Sequence, residues 1–257
     1  MSDFDLVAAE FERHRALPDV VTERIKEAVL SFLDPARSSV LDLGAGTGRL
    51  GRAFVNAQVP YVGVDASYAM LDRFRLNSIS INGPVPSLVQ ADGCSLPFRN
   101  TTFTAVLLAH VLSVSQNWQE LLAEARRVLD SDGFLILAQR VGPSNGVDAQ
   151  LRDQLKTILA RMSVEMPEAG KMKRDARTWL GTAAKSQQHL VAATWNSDCA
   201  PRDFINRHWT GARFSVLPQE IREESMRRLS EWAIVTFGSL DNSSVEEYGF
   251  ELDAFRF

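Results

Sequence analysis

Three short segments carry the residues that can do chemistry. The first is Asp42-Leu43-Gly44-Ala45-Gly46-Thr47-Gly48. Glycines at 44, 46 and 48 let the backbone turn tightly and approach a ligand closely. A helix that opens there points its unbonded N–H groups and the positive end of its dipole at the same ligand. A dinucleotide fingerprint needs glycine at the sixth position, where Arg49 stands, and a phosphate loop needs Gly-Lys-Ser/Thr, which is absent. The second segment is Asp65-Ala66-Ser67. A carboxylate there can accept hydrogen bonds from two ribose hydroxyls. Met70 follows one turn later, as a thioether against a purine ring or as ordinary core. The third is Ala91-Asp92-Gly93-Cys94, in which Asp92 can accept from a purine amino group, although Asp-Gly is also a common turn.

These segments need a scaffold that brings them together. Val21, Ile25, Val29 and Phe32 recur at helical spacing over 18–33, and Asp34-Pro35 stops that run. Short apolar runs then read as strands at 39–43, 60–64, 87–90, 103–109 and 134–138, each taken as apolar on both faces. Helices are expected between them at 47–56, 67–76 and 117–129, with a turn at Asp132-Gly133. This alternation predicts a doubly wound α/β fold, a parallel sheet covered on both sides. In such sheets ligands bind beyond the carboxyl ends of the strands, so the three segments should share one edge. Beyond Arg140 the alternation breaks down. Helices are expected at 147–164, 174–185, 203–209 and 218–237, with strands at 190–195 and 245–257. A loop carrying Pro167 and Gly170 separates the first two helices, and Lys171, Lys173 and Arg174 read most simply as its solvated basic cluster. The chain divides into an N-terminal helical segment, 1–36, a cofactor core, 37–140, and a helical lid with the last strands, 141–257.

Glycine loop, ribose acid and purine acid on successive strands describe one adenosine-bearing ligand without a phosphate clamp, which points to S-adenosylmethionine. The chain here resembles the class I methyltransferases, in particular their small-molecule group. The resemblance rests on VLDLGAGTGRLG (40–51), YVGVDASYAML (61–71), VQADGCSLPF (89–98), FTAVLLAHVLSVSQNW (103–118) and LLAEARRVLDSDGFLILAQ (121–139). It implies a seven-stranded, mostly parallel Rossmann-like sheet whose seventh strand is antiparallel and lies between the fifth and sixth. It implies S-adenosylmethionine as donor and S-adenosylhomocysteine as product. It implies that the loop around Gly44–Gly46, with Asp42 and Ala45, holds the methionine part, Asp65 with Ala66 the ribose, and Asp92 with Gly93 and Cys94 the adenine, whose face Met70 would cover. Ala109 and His110 would line the transfer site. The stretch FERHRALP (11–18) resembles a family segment that closes over the cofactor, with Phe11 where tyrosine is often found; Arg15 would pair with the cofactor carboxylate.

Methyl transfer needs positioning and exclusion of water more than it needs a protein nucleophile. His110, then His14, is placed to take a proton from an acceptor, or else forms pocket wall. Trp209 and Arg213 face the substrate or serve packing. No metal site is expected, because Cys94 and Cys199 form no ligand-spaced pair. A net charge of −4 offers no broad basic face for nucleic acid, and no apolar run approaches the ~20 residues of a membrane helix. The N-terminus, MSDFDLVAAEFERHR, is charged and unlike a secretory signal, so a cytoplasmic protein is expected. A small-molecule acceptor is favoured. A protein or nucleic-acid methyltransferase, or a non-catalytic protein that binds S-adenosylmethionine or S-adenosylhomocysteine, remains the alternative.

Overall fold

A computed structural model describes residues 15–80, 83–112, 115, 117–164, 169–209, 211, 214 and 216–257. The first half alternates as expected: α1 (Asp19–Leu30), β1 (Val40–Leu43), α2 (Gly51–Asn56), β2 (Tyr61–Asp65), α3 (Tyr68–Ser80), β3 (Ser87–Gln90), β4 (Phe103–Ala109), α4 (Trp118–Val128) and β5 (Leu129–Val141). The second half contributes α5 (Val147–Arg161), α6 (Ala169–Ala183), β6 (Ser186–Cys199), α7 (Pro201–Trp209), α8 (Gln219–Phe237) and β7 (Ser244–Arg256).

The seven strands form one sheet in the order β3-β2-β1-β4-β5-β7-β6. Neighbours from β3 through β5 are parallel, and β7 is antiparallel to both β5 and β6. Strand alternation divides the core between the two faces. Leu41, Leu43, Val106, Leu108, Leu135 and Leu137 pack with Leu121, Leu122, Ala125 and Val128 of α4 on one face. Val40, Ala105, Leu107 and Ile136 pack with Val21, Ile25 and Val29 of α1 and Phe54 of α2 on the other. In α4 the first turn holds Glu120 and the last holds Arg126 and Arg127, charges that suit the helix dipole.

A third apolar cluster lies in the C-terminal helices: Leu151, Leu155 and Leu159 of α5, Phe204 of α7, and Met226 and Leu229 of α8. Glu246 of β7 accepts the N–H of Val147 at 2.7 Å, which satisfies an otherwise open donor at the start of α5. Gly146 lets that carboxylate approach, since a Cβ there would meet Glu246 Oε2 at 2.6 Å. This contact ties the helical layer to the sheet.

Three sequence expectations need correction. The first helix after the glycine loop starts at Gly51, not near 47, because the loop spends residues 45–50 in turns. Asp132-Gly133 is part of β5 rather than a turn before it; the register between Phe103 and Ala105 shifts there, and a Cβ on Gly133 would meet the Thr104 carbonyl oxygen at 2.9 Å. Strand β3 is not buried on both faces: it is the sheet edge, and Ser87 and Gln90 are exposed.

Candidate functional site

The parallel strands end at one edge, and the three chemical segments meet there. Gly44 and Ala45 donate their N–H groups to the Val64 carbonyl at 2.8 and 2.9 Å, and Ala91 donates to the Asp65 carbonyl at 3.2 Å. Asp65 accepts the Gly46 N–H through one carboxylate oxygen and the Ser67 N–H through the other, each at 2.9 Å. The Ser67 hydroxyl in turn accepts the Met70 N–H at 3.2 Å, so α3 is capped as it starts. Asp92 accepts the Cys94 N–H at 2.9 Å, an Asx turn that fixes the third loop.

The glycines of the first loop differ in what they do. Gly44, Gly46 and Gly48 all have positive φ. A Cβ on Gly44 would strike Val111 at 2.3 Å and one on Gly48 would strike Phe74 at 2.1 Å, whereas one on Gly46 would meet nothing within 4 Å. The open side of Gly46 faces a cavity of about 1810 Å³. Beside it the Thr47 hydroxyl is buried with no hydrogen-bond partner among the described residues. An open cradle and an orphaned donor are what a nucleoside thioether at this edge would use.

All of Arg15, Asp42, Gly44, Ala45, Gly46, Asp65, Ala66, Met70, Asp92, Gly93, Cys94, Ala109 and His110 line that cavity. Asp42 is buried and accepts the Tyr61 hydroxyl at 2.8 Å. Burial pushes its carboxyl up to about 6, against the opposing pull of the Tyr61 hydrogen bond. Cys94 is likewise held as a thiol, its pKa raised by burial and then by Asp92. His14 and Arg213 lie outside the described residues. Trp209 does not line the cavity; it packs edge to face with Phe214, ring centroids 6.0 Å apart.

His110 follows β4 and sits at φ +62°, an unusual conformation for a non-glycine residue. Its Nε2 accepts the Arg140 N–H at 3.4 Å. Burial first, then the charges of Arg49, Lys173, Arg140 and Arg15, hold its pKa well below the ordinary histidine value. The ring is therefore neutral at physiological pH.

The sequence did not single out several cationic residues of the lining. Arg49 donates to the Arg15 carbonyl at 3.0 Å, and Arg15 donates to the Arg207 carbonyl. Arg207 pairs with Asp148 at the start of α5. Burial, with Arg49 and Arg207 nearby, pulls the Arg15 guanidinium down to about 10. Arg140, next to last in β5, lays its guanidinium 3.8 Å from the Tyr248 ring centroid. Lys171, Lys173 and Arg174 line the cavity from the first turns of α6, a helix where a loop was expected, with Lys171 and Arg174 solvated as read. A signal was available in α5: Asp148, Arg152 and Lys156 recur every fourth residue and all face the cavity.

Comparison with known proteins agrees with the fold and the loops. Residues 41–137 match the methyltransferase domain family. A ubiquinone/menaquinone biosynthesis C-methyltransferase, UbiE, from Pseudomonas savastanoi is 28% identical over 202 residues, 76% of each chain. A demethylmenaquinone methyltransferase from Paenarthrobacter aurescens is 27% identical over 234 residues, covering 86% of this chain and 87% of its own. The YcgJ protein of Bacillus subtilis superposes with a TM-score of 0.57 at 18% identity, over 91% of this chain and 98% of its own, and so shares the fold. Over residues 41–137 the chain thus carries a methyltransferase domain. Among the described residues no helix is long and apolar enough to cross a membrane.

Proposed function

We propose that this enzyme moves a methyl group from S-adenosylmethionine to a small-molecule acceptor inside the cavity at the carboxyl edge of the sheet. The observation that carries the reading is the size and lining of that cavity. It begins on Gly46, Asp65 and Asp92 and extends, at about 1810 Å³, under α5 and α6. Ligand pockets commonly fall between ~300 and ~1,000 Å³, so there is room for a donor and an acceptor side by side. The names of the two quinone-pathway relatives also support a small molecule. A non-catalytic binding protein would have no use for room beyond that of the donor.

The donor supplies an electrophilic methyl on a sulfonium; the acceptor forms the new bond to that carbon as the carbon–sulfur bond breaks, leaving S-adenosylhomocysteine and one proton from the acceptor. Asp65 is assigned to the ribose. Its two oxygens accept one backbone N–H each, which aims the carboxylate at the cavity, and carboxylate oxygens are the acceptors that sugar hydroxyls donate to. Asp92 and the N–H groups after it are assigned to the adenine, and Arg15 to the carboxylate of the amino-acid part. Ala66, Met70, Gly93, Cys94 and Ala109 complete the walls, with Met70 buried in the first turn of α3. The helices within 141–257 are assigned to the lid, with β6 and β7 completing the sheet, and the N-terminal segment 1–36 to closure over the cofactor. His110, neutral and at the mouth of β4, is assigned to the acceptor side.

Calorimetric titration with S-adenosylhomocysteine, and with NAD as the control, tests this reading. Binding of the thioether in the micromolar range without measurable NAD binding is expected; preference for NAD, or no thioether binding, would overturn it.

A further inference from the structure

The cavity is lined by more cations than a single donor carboxylate can use. Arg15, Arg49 and Arg207 are linked to each other beside the glycine loop. The second group lies on the other elements of the lining: Arg140 at the end of β5, Lys171, Lys173 and Arg174 on α6, and Arg152 on α5. The acids of the lining do not balance it. Asp42 is bonded to Tyr61, Asp65 and Asp92 to backbone N–H groups, and Asp148 to Arg207. This concentration of positive charge occurs in a chain whose net charge is −4.

Arg140 is the inner anchor of this group. Its Nε is buried with no hydrogen-bond partner among the described residues. Its guanidinium is held over Tyr248, which is itself fixed by stacking on Trp195 at 5.9 Å and by donating to Glu246 at 3.1 Å. A stacked guanidinium keeps its donor edge available and pre-oriented. On α6, cations occupy the first turns and no acid is present in the first turn, an order that opposes the helix dipole. An anion bound between α6 and Arg140 would relieve both charges.

We infer that the methyl acceptor carries an anionic group, a carboxylate or a phosphate, which Arg140 grips and which the exposed Lys171, Arg174 and Arg152 draw in from the rim. The inference rests on the methyl-transfer reading for the identity of the ligand as acceptor. It also separates this cavity from one built for a neutral quinone ring, since a neutral ring gives such a group no counter-charge. Cations around the mouth raise the local concentration of an anionic substrate, an effect that salt weakens.

The test titrates protein saturated with S-adenosylhomocysteine against benzoate, phenyl phosphate and the neutral benzamide. At low salt at least one anion should bind about tenfold or more tighter than benzamide, as expected for charge-assisted hydrogen bonds. Which anion wins distinguishes carboxylate from phosphate. R140Q should lose about tenfold in anion affinity, and the surface pair K171Q/R174Q should flatten the salt dependence. Both variants should keep the melting temperature and the S-adenosylhomocysteine affinity of the parent. Equal binding of benzamide, no detectable binding of either anion at millimolar concentration, or unchanged anion affinity in both variants overturns the inference. Loss of S-adenosylhomocysteine binding in the parent, with anion binding intact, breaks the methyl-transfer reading instead and leaves the anion site standing.

Discussion

The carboxylate of Asp65 accepts the N–H of Gly46 across 2.9 Å, so the loop after the second strand holds the loop after the first in place. Its other oxygen accepts from Ser67 at the start of α3. Asp65 thus serves both as a proposed sugar ligand and as the fastening between two walls of the site. Asp65→Ala should weaken S-adenosylhomocysteine binding by about 1.5–3 kcal/mol, the range for loss of a charged hydrogen-bond partner. Asp65→Asn retains one carbonyl acceptor and should lose less. Calorimetry on both variants checks the order; unchanged affinity in the alanine variant refutes the ribose assignment.

Gly44 and Gly46 should respond differently to the same methyl group. At Gly44 a Cβ collides with Val111 at 2.3 Å, and the backbone is at φ +83°. Gly44→Ala should therefore cost stability, about 2–4 kcal/mol from left-handed strain and overpacking together. At Gly46 the space is open and φ is +54°, a conformation alanine enters at a cost of about 1–2 kcal/mol. Gly46→Ala should lower the melting temperature less but reduce S-adenosylhomocysteine affinity about tenfold or more, because the methyl enters the cavity where the ligand would lie. Thermal melts paired with titrations separate the two effects. Equal losses of affinity and stability in both variants would argue that neither glycine faces a ligand.

The contrast between these glycines also marks what was legible in the sequence. The run Asp42–Gly48, Asp65 and Asp92 could be placed at one edge because a parallel sheet sends consecutive βα loops to the same side. The place of the antiparallel seventh strand between the fifth and sixth followed from the resemblance, and the strands of the first half followed from apolar runs. Arg140 and Tyr248 were not legible. They meet because β7 runs antiparallel to β5, pairing Val141 with Gly249, a contact between residues far apart in sequence that leaves no local period. The helix expected at 174–185 begins at Ala169, and its first turn was missed because cations at the N-terminal end contradict the usual helix signals. In the sequence Trp209 stands between substrate and packing, and its ring takes the packing alternative in the helical core.

Asp42 predicts a pH dependence of stability. Its carboxyl lies at about 6 in the folded chain, above its ordinary value of 3.8, chiefly through burial. Between these values the folded state holds a proton that the unfolded state has released. The sign is therefore a loss: stability from this group is full below about pH 4, falls as pH rises to about 6, and is flat beyond. The fall amounts to about 3 kcal/mol at most. Asp42→Asn keeps an acceptor for the Tyr61 hydroxyl and removes the titration. Urea melts from pH 4 to 7 should show the variant gaining on the parent as pH rises; a constant difference would place the Asp42 carboxyl at its ordinary value.

His110 poses the sharper kinetic question. Burial and four neighbouring cations keep the ring neutral, and its Nε2 already accepts the Arg140 N–H, a long bond at 3.4 Å. Nε2 is then the ring's acceptor nitrogen, so it takes a proton only by releasing the Arg140 N–H; the neutral form that can do so is present at every pH at which the protein works, and it is a weak base. Turnover of an acceptor should then show no inflection near ~6.5 from this residue. His110→Ala should lower turnover about tenfold to a hundredfold if the ring takes the acceptor proton, with S-adenosylhomocysteine affinity nearly unchanged. His110→Gln separates the roles further, since an amide can hold the acceptor but cannot serve as its base. Recovery of turnover in the glutamine variant assigns His110 to positioning, whereas equal losses in both variants assign it to proton transfer. Turnover unchanged in the alanine variant returns the residue to the cavity wall.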